Sequence, residues 1–482
     1  MSSTPEKNQL SDFRYEELAD FIATQIYSGV LPHGSKVPSL RKVSKGYGVS
    51  VSTALHAYRL LESRGLLEAV PQSGYIVRAT MNEYLTLTQT TAPLRKKQRV
   101  EVSVKVNSML DYAADRSLIP LGCAIPSPDY LAASKLDRFL AKAARTRGTM
   151  SNTYSPPKGE LDLRLAIARR AMLWGEQVNP DDIVISCGCT EALVLALRSV
   201  TSPGDTVAVE SPTYFGILQI LESLNLRALE VPTHPTEGID SKALDSLLGK
   251  HKVSTCLVSS GINNPLGYKV PEKNKRAHLR ILNKHKIPLI EDDVYGDIYF
   301  SGSRPKPYCA MKEATNTIYC SSFSKTVAPG YRIGWATSKI HSDRICNLKV
   351  STTLANPVLT QSAMADYLDC GAYDNHLRKI RRIFELNVER MIKAVADYFP
   401  SDTRVSQPEG GFVLWVELGG TMTARQLFEQ AIKQNICFTP GDLFSAQNQY
   451  DRCLRLNCGY PWNAEMEQAL KTLGALVSSG NR

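Results

Sequence analysis

The chain has 482 residues, more than one compact core accommodates, so at least two domains are expected. Hydrophobic residues make up 43% and charged residues 22%, the balance of an ordinary globular protein rather than a disordered or fibrous one. The formal net charge of +10 is spread along the chain and does not by itself point to nucleic acid. The 11 cysteines are scattered without paired CxxC spacing, which argues for reduced thiols and against a disulfide framework or a zinc site. No apolar leader follows Met1 and no run approaches ~18 apolar residues, so a cytoplasmic protein with no membrane span is expected.

Residues 15–28 read as a helix, with Leu18, Phe21, Ile22 and Ile26 at helical spacing and Gly29 ending it. Pro38-Ser39-Leu40-Arg41 starts a second, short helix that Gly46 and Gly48 break. Ser50 caps a third, running to about Arg64, with Ala54, Ala57, Tyr58 and Leu61 at helical spacing. Residues 67–70 and 74–78 flank a Pro71-Gln72-Ser73-Gly74 turn and form a hairpin. Three helices followed by a β-wing make a winged helix-turn-helix, an α+β unit over residues 12–80. Within it Lys36, Arg41, Lys42, Lys45, Arg59 and Arg64 face only Glu62. Such a patch suits phosphates, although a solvated helical face has the same look.

This stretch resembles the N-terminal domain of the GntR family through Pro32-x-Gly34-Ser35-Lys36-Val37-Pro38-Ser39-Leu40-Arg41, Tyr58-Arg59-Leu60-Leu61-Glu62 and Gly74-Tyr75-x-Val77. The resemblance implies double-stranded DNA as a partner. Ser39 and Arg41 fall where the family contacts phosphates. Ser50, Ser52, Thr53, His56 and Arg59 lie on the helix that enters the major groove, and Gly74 lets the wing approach the minor groove. One position departs: Val51 follows the capping serine where the family usually has arginine. An arginine contact to guanine or phosphate is worth about 1–3 kcal/mol, so either specificity differs here or affinity is lower.

Residues 81–116 lose periodicity, are rich in hydroxyls and carry the basic run Arg95-Lys96-Lys97-Gln98-Arg99. They read as a tether with short ordered pieces such as 100–106.

From residue 117 to 482, helical stretches alternate with short β-branched runs at 183–186, 206–210, 227–231, 255–259, 287–291, 317–321 and 333–336. That alternation predicts a mostly parallel sheet with helices on both faces, whose ligands sit at the carboxyl ends of the strands. Gly188-Cys189-Thr190 follows the first run and opens a helix near Glu191, a cradle for phosphate. Tyr214 offers an aromatic face, Asn264 an amide, and Asp292 and Tyr295 lie just past a buried strand. Lys325 sits three residues after Ser322 and seven before Arg332. A hydroxyl and a guanidinium around a lysine suit a phosphorylated aldehyde held as an imine, and burial among apolar walls lowers the amine pKa. Each residue alone is as readily packing or a common turn; together, in order at successive strand exits, they are not.

The arrangement resembles the class I and II aminotransferases of fold type I, an α/β fold with a smaller C-terminal α/β subdomain, which bind pyridoxal 5'-phosphate (PLP). The resemblance implies that Lys325 is the imine-forming lysine, that Asp292 pairs the pyridinium and that Tyr214 stacks on the ring. It further implies that Asn264 and Tyr295 hold the ring oxygen and that Cys189, Thr190, Ser322 and Arg332 hold phosphate. Tyr154 matches a residue reaching the neighbouring subunit, hence a homodimer, and Arg455 matches the arginine that grips an α-carboxylate. The fused pair resembles the MocR-type regulators. The expectation is a transcription factor whose DNA affinity is modulated by PLP or by an amino acid or amine forming an external aldimine at Lys325. The alternative is a working aminotransferase with an accessory DNA-binding module.

Overall fold

The computed structural model describes residues 9–27, 30–32, 34–63, 66–70, 74–77 and 97–480. Helix α1 (Gln9–Tyr27) begins six residues before the expected start. Helix α2 (Leu40–Tyr47) is capped by the Ser39 hydroxyl, which accepts from the Lys42 amide. Gly46 lies inside α2 and does not break it. The stop is Gly48 alone, whose φ of 64° turns the chain left-handed while its amide bonds the Ser44 carbonyl. Helix α3 (Val51–Ser63) opens where Ser50 Oγ accepts from the Thr53 amide at 3.0 Å. Strands β1 (Leu67–Val70) and β2 (Gly74–Val77) pair antiparallel. Leu18, Ile22, Ile26, Ala57, Leu61 and Val77 form a small core between these elements. The expected hairpin turn at 71–73, Arg64, Arg78 and residues 81–96 of the tether lie outside the described residues.

The tether expected over 81–116 is not one across 97–116. Gln98–Arg99 pairs with Arg227 and Ala228 at the sheet edge, and a helix follows over Ser103–Ala114. Val100, Val102, Val106 and Met109 are buried, and Glu222 accepts from both amides at 102 and 103. Apolar residues interleaved with charges mask that packing in the sequence.

The large domain is built on a mixed sheet. Its strands run in the order Gln98–Arg99, Arg227–His234, Thr206–Ser211, Thr255–Ser259, Leu289–Asp292, Thr317–Ser322, Ile333–Thr337, Ile183–Cys187, with Gly238–Ile239 beside the second. All seven expected runs form strands. The five from Arg227–His234 to Thr317–Ser322 are parallel, and Ile333–Thr337 runs against its neighbours. A second sheet orders Arg404–Val405, Val413–Glu417, Cys453–Asn457, Ile436–Pro440 and Ile119–Leu121. The smaller subdomain therefore takes one strand from the start of the domain as well as its C-terminal segment. Among the described residues, no helix is long and apolar enough to cross a membrane.

Candidate functional site

The carboxyl ends of the parallel strands, together with Cys453–Asn457 of the second sheet, surround a cavity of about 200 Å³. It collects Lys325, Asp292, Tyr214, Asn264, Tyr295, Cys189, Thr190, Ser322, Arg332 and Arg455 from segments up to 266 residues apart in sequence. Strand geometry explains the convergence. Successive parallel strands deliver the residue just past each end to one rim, whatever lies between them in sequence.

Lys325 Nζ donates to the Ala124 carbonyl at 2.6 Å. Burial, and after it the Arg455 charge, brings its pKa down from 10.5 to about 8. Asp292 ends Leu289–Asp292, where burial raises its carboxyl to about 6, with Asp293 adding to the rise. The Cys189 thiol donates to Asp292 Oδ1 at 3.5 Å, and Asp292 has no cationic partner within ion-pair distance among the described residues. Burial pushes the Tyr214 phenol up to about 12 and that of Tyr295 higher still. The Tyr295 hydroxyl is buried without a hydrogen-bond partner among the described residues.

Arg455 is 0% exposed. Its guanidinium donates to Asn264 Oδ1 at 3.1 Å and to the Gly122 carbonyl at 3.0 Å, and it lies over the adjoining rings of Phe215 and Phe444. Among the described residues Nε has no partner and no carboxylate pairs with the charge, and burial lowers the guanidinium pKa. A buried cation without an anion is costly. The arrangement is suited to receive a carboxylate.

At another part of the cavity lining, the helix Gly188–Val200 starts three residues before the expected Glu191, because Gly188 itself is its first residue. Arg332 Nη2 donates to the Cys187 carbonyl at 2.9 Å and Nη1 approaches Ser324 Oγ at 3.5 Å. A Cβ on Gly188, whose φ is 79°, would stand 2.3 Å from Arg332 Nη2, so the guanidinium reaches this helix start only because residue 188 is glycine. With Thr190, Ser322 and Ser324, this corner offers hydroxyls, a helix N-terminus and a cation to an anion.

Tyr154 does not line this cavity: its ring is 83% exposed on the loop before Gly159. That loop is fixed from behind, by Lys349 Nζ on the Pro157 carbonyl at 2.7 Å and by the Ser155 hydroxyl on the Asn356 carbonyl at 2.9 Å. Sequence reasoning passes over Ser324, Ala124 and Leu110. Ser324 lies inside the lysine segment between Ser322 and Arg332, whereas Ala124 acts through its backbone and Leu110 sits in the supposed tether.

On the winged helix, Ser39, Arg41, Ser50, Ser52, His56, Arg59 and Gly74 are exposed and Thr53 is half-buried. Ser50 Oγ lies 2.8 Å from both Ser52 Oγ and Thr53 Oγ1. Lys36, Arg41, Lys42, Lys45 and Arg59 are exposed, and none is paired with a carboxylate among the described residues. Gly74 has a φ of 90°, a conformation that suits glycine at the tip of a wing.

Fold and cavity together define a class: a winged helix-turn-helix joined in one chain to an aminotransferase-like α/β domain. Residues 124–473 match the aminotransferase class I and II family and residues 14–77 match the gntR family of bacterial regulatory proteins. The chain belongs to both families, and through that fusion to the MocR type of HTH transcriptional regulators. It is 37% identical to the uncharacterized HTH-type transcriptional regulator YdcR of Escherichia coli (strain K12), covering 96% of this chain and 99% of that protein. The large domain is similar to the crystal structure of Pyrococcus horikoshii kynurenine aminotransferase, with a TM-score of 0.74, 26% identity and coverage of 78% and 95% of the two chains. It is also similar to LysN, the α-aminoadipate aminotransferase of Thermus thermophilus, solved with N-(5'-phosphopyridoxyl)-L-leucine. There the TM-score is 0.73 at 25% identity, covering 79% of this chain and 96% of that one.

Proposed function

We propose that this regulator binds PLP in the large domain and that PLP, with an amino acid or amine held beside it, sets the affinity of the winged helix for its operator. One observation carries the reading: a chain whose winged helix exposes cations without carboxylate partners among the described residues also holds a cavity in which, among the same residues, the buried Arg455 Nε and Tyr295 hydroxyl lack partners. The Tyr295 hydroxyl and the glycine that admits Arg332 fit the cofactor, and Arg455 Nε fits the carboxylate of the amino acid. When bound, PLP supplies an electron sink to an amino group joined to it.

The remaining roles belong to the chain. Lys325 presents its amine, which burial keeps partly neutral near pH 8. Asp292 holds a proton on the pyridine nitrogen, and its desolvation is offset by that pairing. Tyr214 stacks on the ring, and Asn264 and Tyr295 orient the ring oxygen. Arg332, Thr190, Ser322 and Ser324 hold phosphate with the start of the Gly188–Val200 helix, beside Cys189. Arg455 grips a carboxylate. Tyr154, held out to solvent, reaches the corresponding cavity of a second copy, which makes the working form a homodimer. A ligand can shift operator affinity only by binding two arrangements of the dimer unequally, and two-fold symmetry calls for paired half-sites.

Titrating operator affinity with PLP, then with amino acids at saturating PLP, tests the reading. The affinity should move in the wild type and stay fixed in Lys325→Ala; an unchanged wild-type affinity throughout rejects it. A second reading, catalytic transamination, is favoured by Lys325, Asp292 and Arg455 sharing one cavity. Multiple-turnover production of a keto acid from an amino acid pair would support it.

A further inference from the structure

The cavity also indicates which effector it takes, an inference that rests on the PLP-binding reading. Four charged side chains line it: Asp292, Lys325, Arg332 and Arg455. The first three face the cofactor's ring nitrogen, aldehyde and phosphate in that reading. Arg455 then remains as the one lining cation for an effector: among the described residues its Nε has no partner and Nη1 makes one bond, to Asn264, while Nη2 bonds both Gly122 and Thr439. One carboxylate occupies that capacity.

Outside the corner of Thr190 and Arg332, the exposed lining residues are apolar. Leu110 and Ile125 line the cavity, and both are unusually exposed for such side chains, at 41% and 44%. The nearest cation on the Leu110 helix, Lys105, is engaged by Asp442 at 3.4 Å and Asn448 at 2.7 Å. The Arg425 guanidinium is bound to the same Asp442 at 2.8 Å. Among the described residues, a second carboxylate on the effector would meet no further lining cation there, and an ammonium no lining carboxylate other than Asp292.

We propose that the effector is an α-amino acid with an uncharged, apolar side chain, whose carboxylate is taken by Arg455 and whose side chain packs between Leu110 and Ile125. Acidic and basic amino acids are excluded by desolvation of their side-chain charge. Among the described residues, the Leu110 helix is the first helix after the winged helix.

The test is equilibrium binding of amino acids to the PLP-loaded, full-length wild type. It is followed by the shift in cofactor absorbance and, independently, by calorimetry against the same protein reduced with borohydride. Leucine, methionine and phenylalanine should bind about 10- to 100-fold more tightly than aspartate, glutamate or lysine, the gain expected from burying one such side chain. Leu110→Ser should narrow that preference at unchanged cofactor absorbance, and Ile125→Arg should raise glutamate affinity. Tight binding of glutamate or lysine to the wild type, or a preference unchanged in both variants, overturns the proposal while leaving PLP binding intact. A protein that takes up no PLP fails the underlying reading instead, and is recognised by the absence of any cofactor absorbance.

Discussion

Arg455 and Asn264 are joined guanidinium to amide at 3.1 Å, although one comes from a strand of the second sheet and the other from the loop after Thr255–Ser259 of the first. This bond ties the two subdomains together at the cavity. A ligand carboxylate reaching Arg455 is thereby coupled to Asn264, the residue proposed to orient the cofactor ring.

Replacing Arg455 with methionine should separate binding from stability. Loss of a charge-assisted pair weakens carboxylate binding by roughly 10- to 100-fold, while PLP uptake persists because Lys325, Asp292 and Arg332 remain. Thermal unfolding of the ligand-free protein should shift little, since removal of a buried unpaired charge offsets the lost bonds to Asn264 and Gly122. Calorimetry and a melting curve check both; a normal amino acid response in the variant rejects the role.

Gly188→Ala should damage the phosphate corner selectively. Its Cβ would collide with the Arg332 guanidinium, and alanine at a φ of 79° is strained by about 1–3 kcal/mol. The expected result is weaker uptake of PLP with little change for pyridoxal, which lacks the phosphate. Equal losses for the two aldehydes would show that Arg332 does not serve the phosphate.

Much of this site is legible in the sequence because strand exits are marked by short local signals. The seven β-branched runs locate the strands, and the residue after each end follows. The winged helix is equally open to reading, since Ser39, Ser50 and Gly48 are local punctuation. What escapes depends on tertiary packing. Residues 97–116 look like tether because their buried valines alternate with lysine, arginine and glutamate, and only the sheet edge and Glu222 reveal the burial. Gly46 looks like a helix breaker, yet glycine costs an interior helical position only about 1 kcal/mol, which the packing of α2 on α3 overrides. The subdomain strand Ile119–Leu121 is invisible because its partner, Ile436–Pro440, lies more than 300 residues away.

Covalent capture of PLP should depend on pH in a defined direction. Lys325 releases its proton near pH 8, so the capture rate rises toward that value and levels off above it. Asp292 is protonated below about 6 and then cannot pair a pyridinium, which steepens the loss on the acid side. Stability follows the same sign for the lysine. The folded chain gives up that proton near pH 8 and an unfolded chain near 10.5, so the cost of burying it is present below 8 and fades as pH rises to 10.5. Stopped-flow absorbance from pH 5 to 9 checks the rate. A flat profile would mean that neither group controls capture.

On the DNA side, the two kinds of residue on the winged helix should separate by salt and by sequence. Arg41 and Arg59 are exposed cations without carboxylate partners among the described residues, so alanine at either should weaken all DNA about equally and reduce the log–log salt slope by about 1. Val51 is different: it is the first residue of α3, 48% exposed, and carries two methyl groups where a base-reading arginine would carry donors. Methyl groups at the start of a recognition helix complement the thymine methyl rather than guanine acceptors. Selection from randomised operators should therefore recover thymine at one position of each half-site with the wild type and guanine at that position with Val51→Arg. Val51→Ala should relax the choice without imposing another base. If all three proteins selected the same sequence, Val51 would lie outside the groove and the docking of α3 would have to be redrawn around Ser52 and His56.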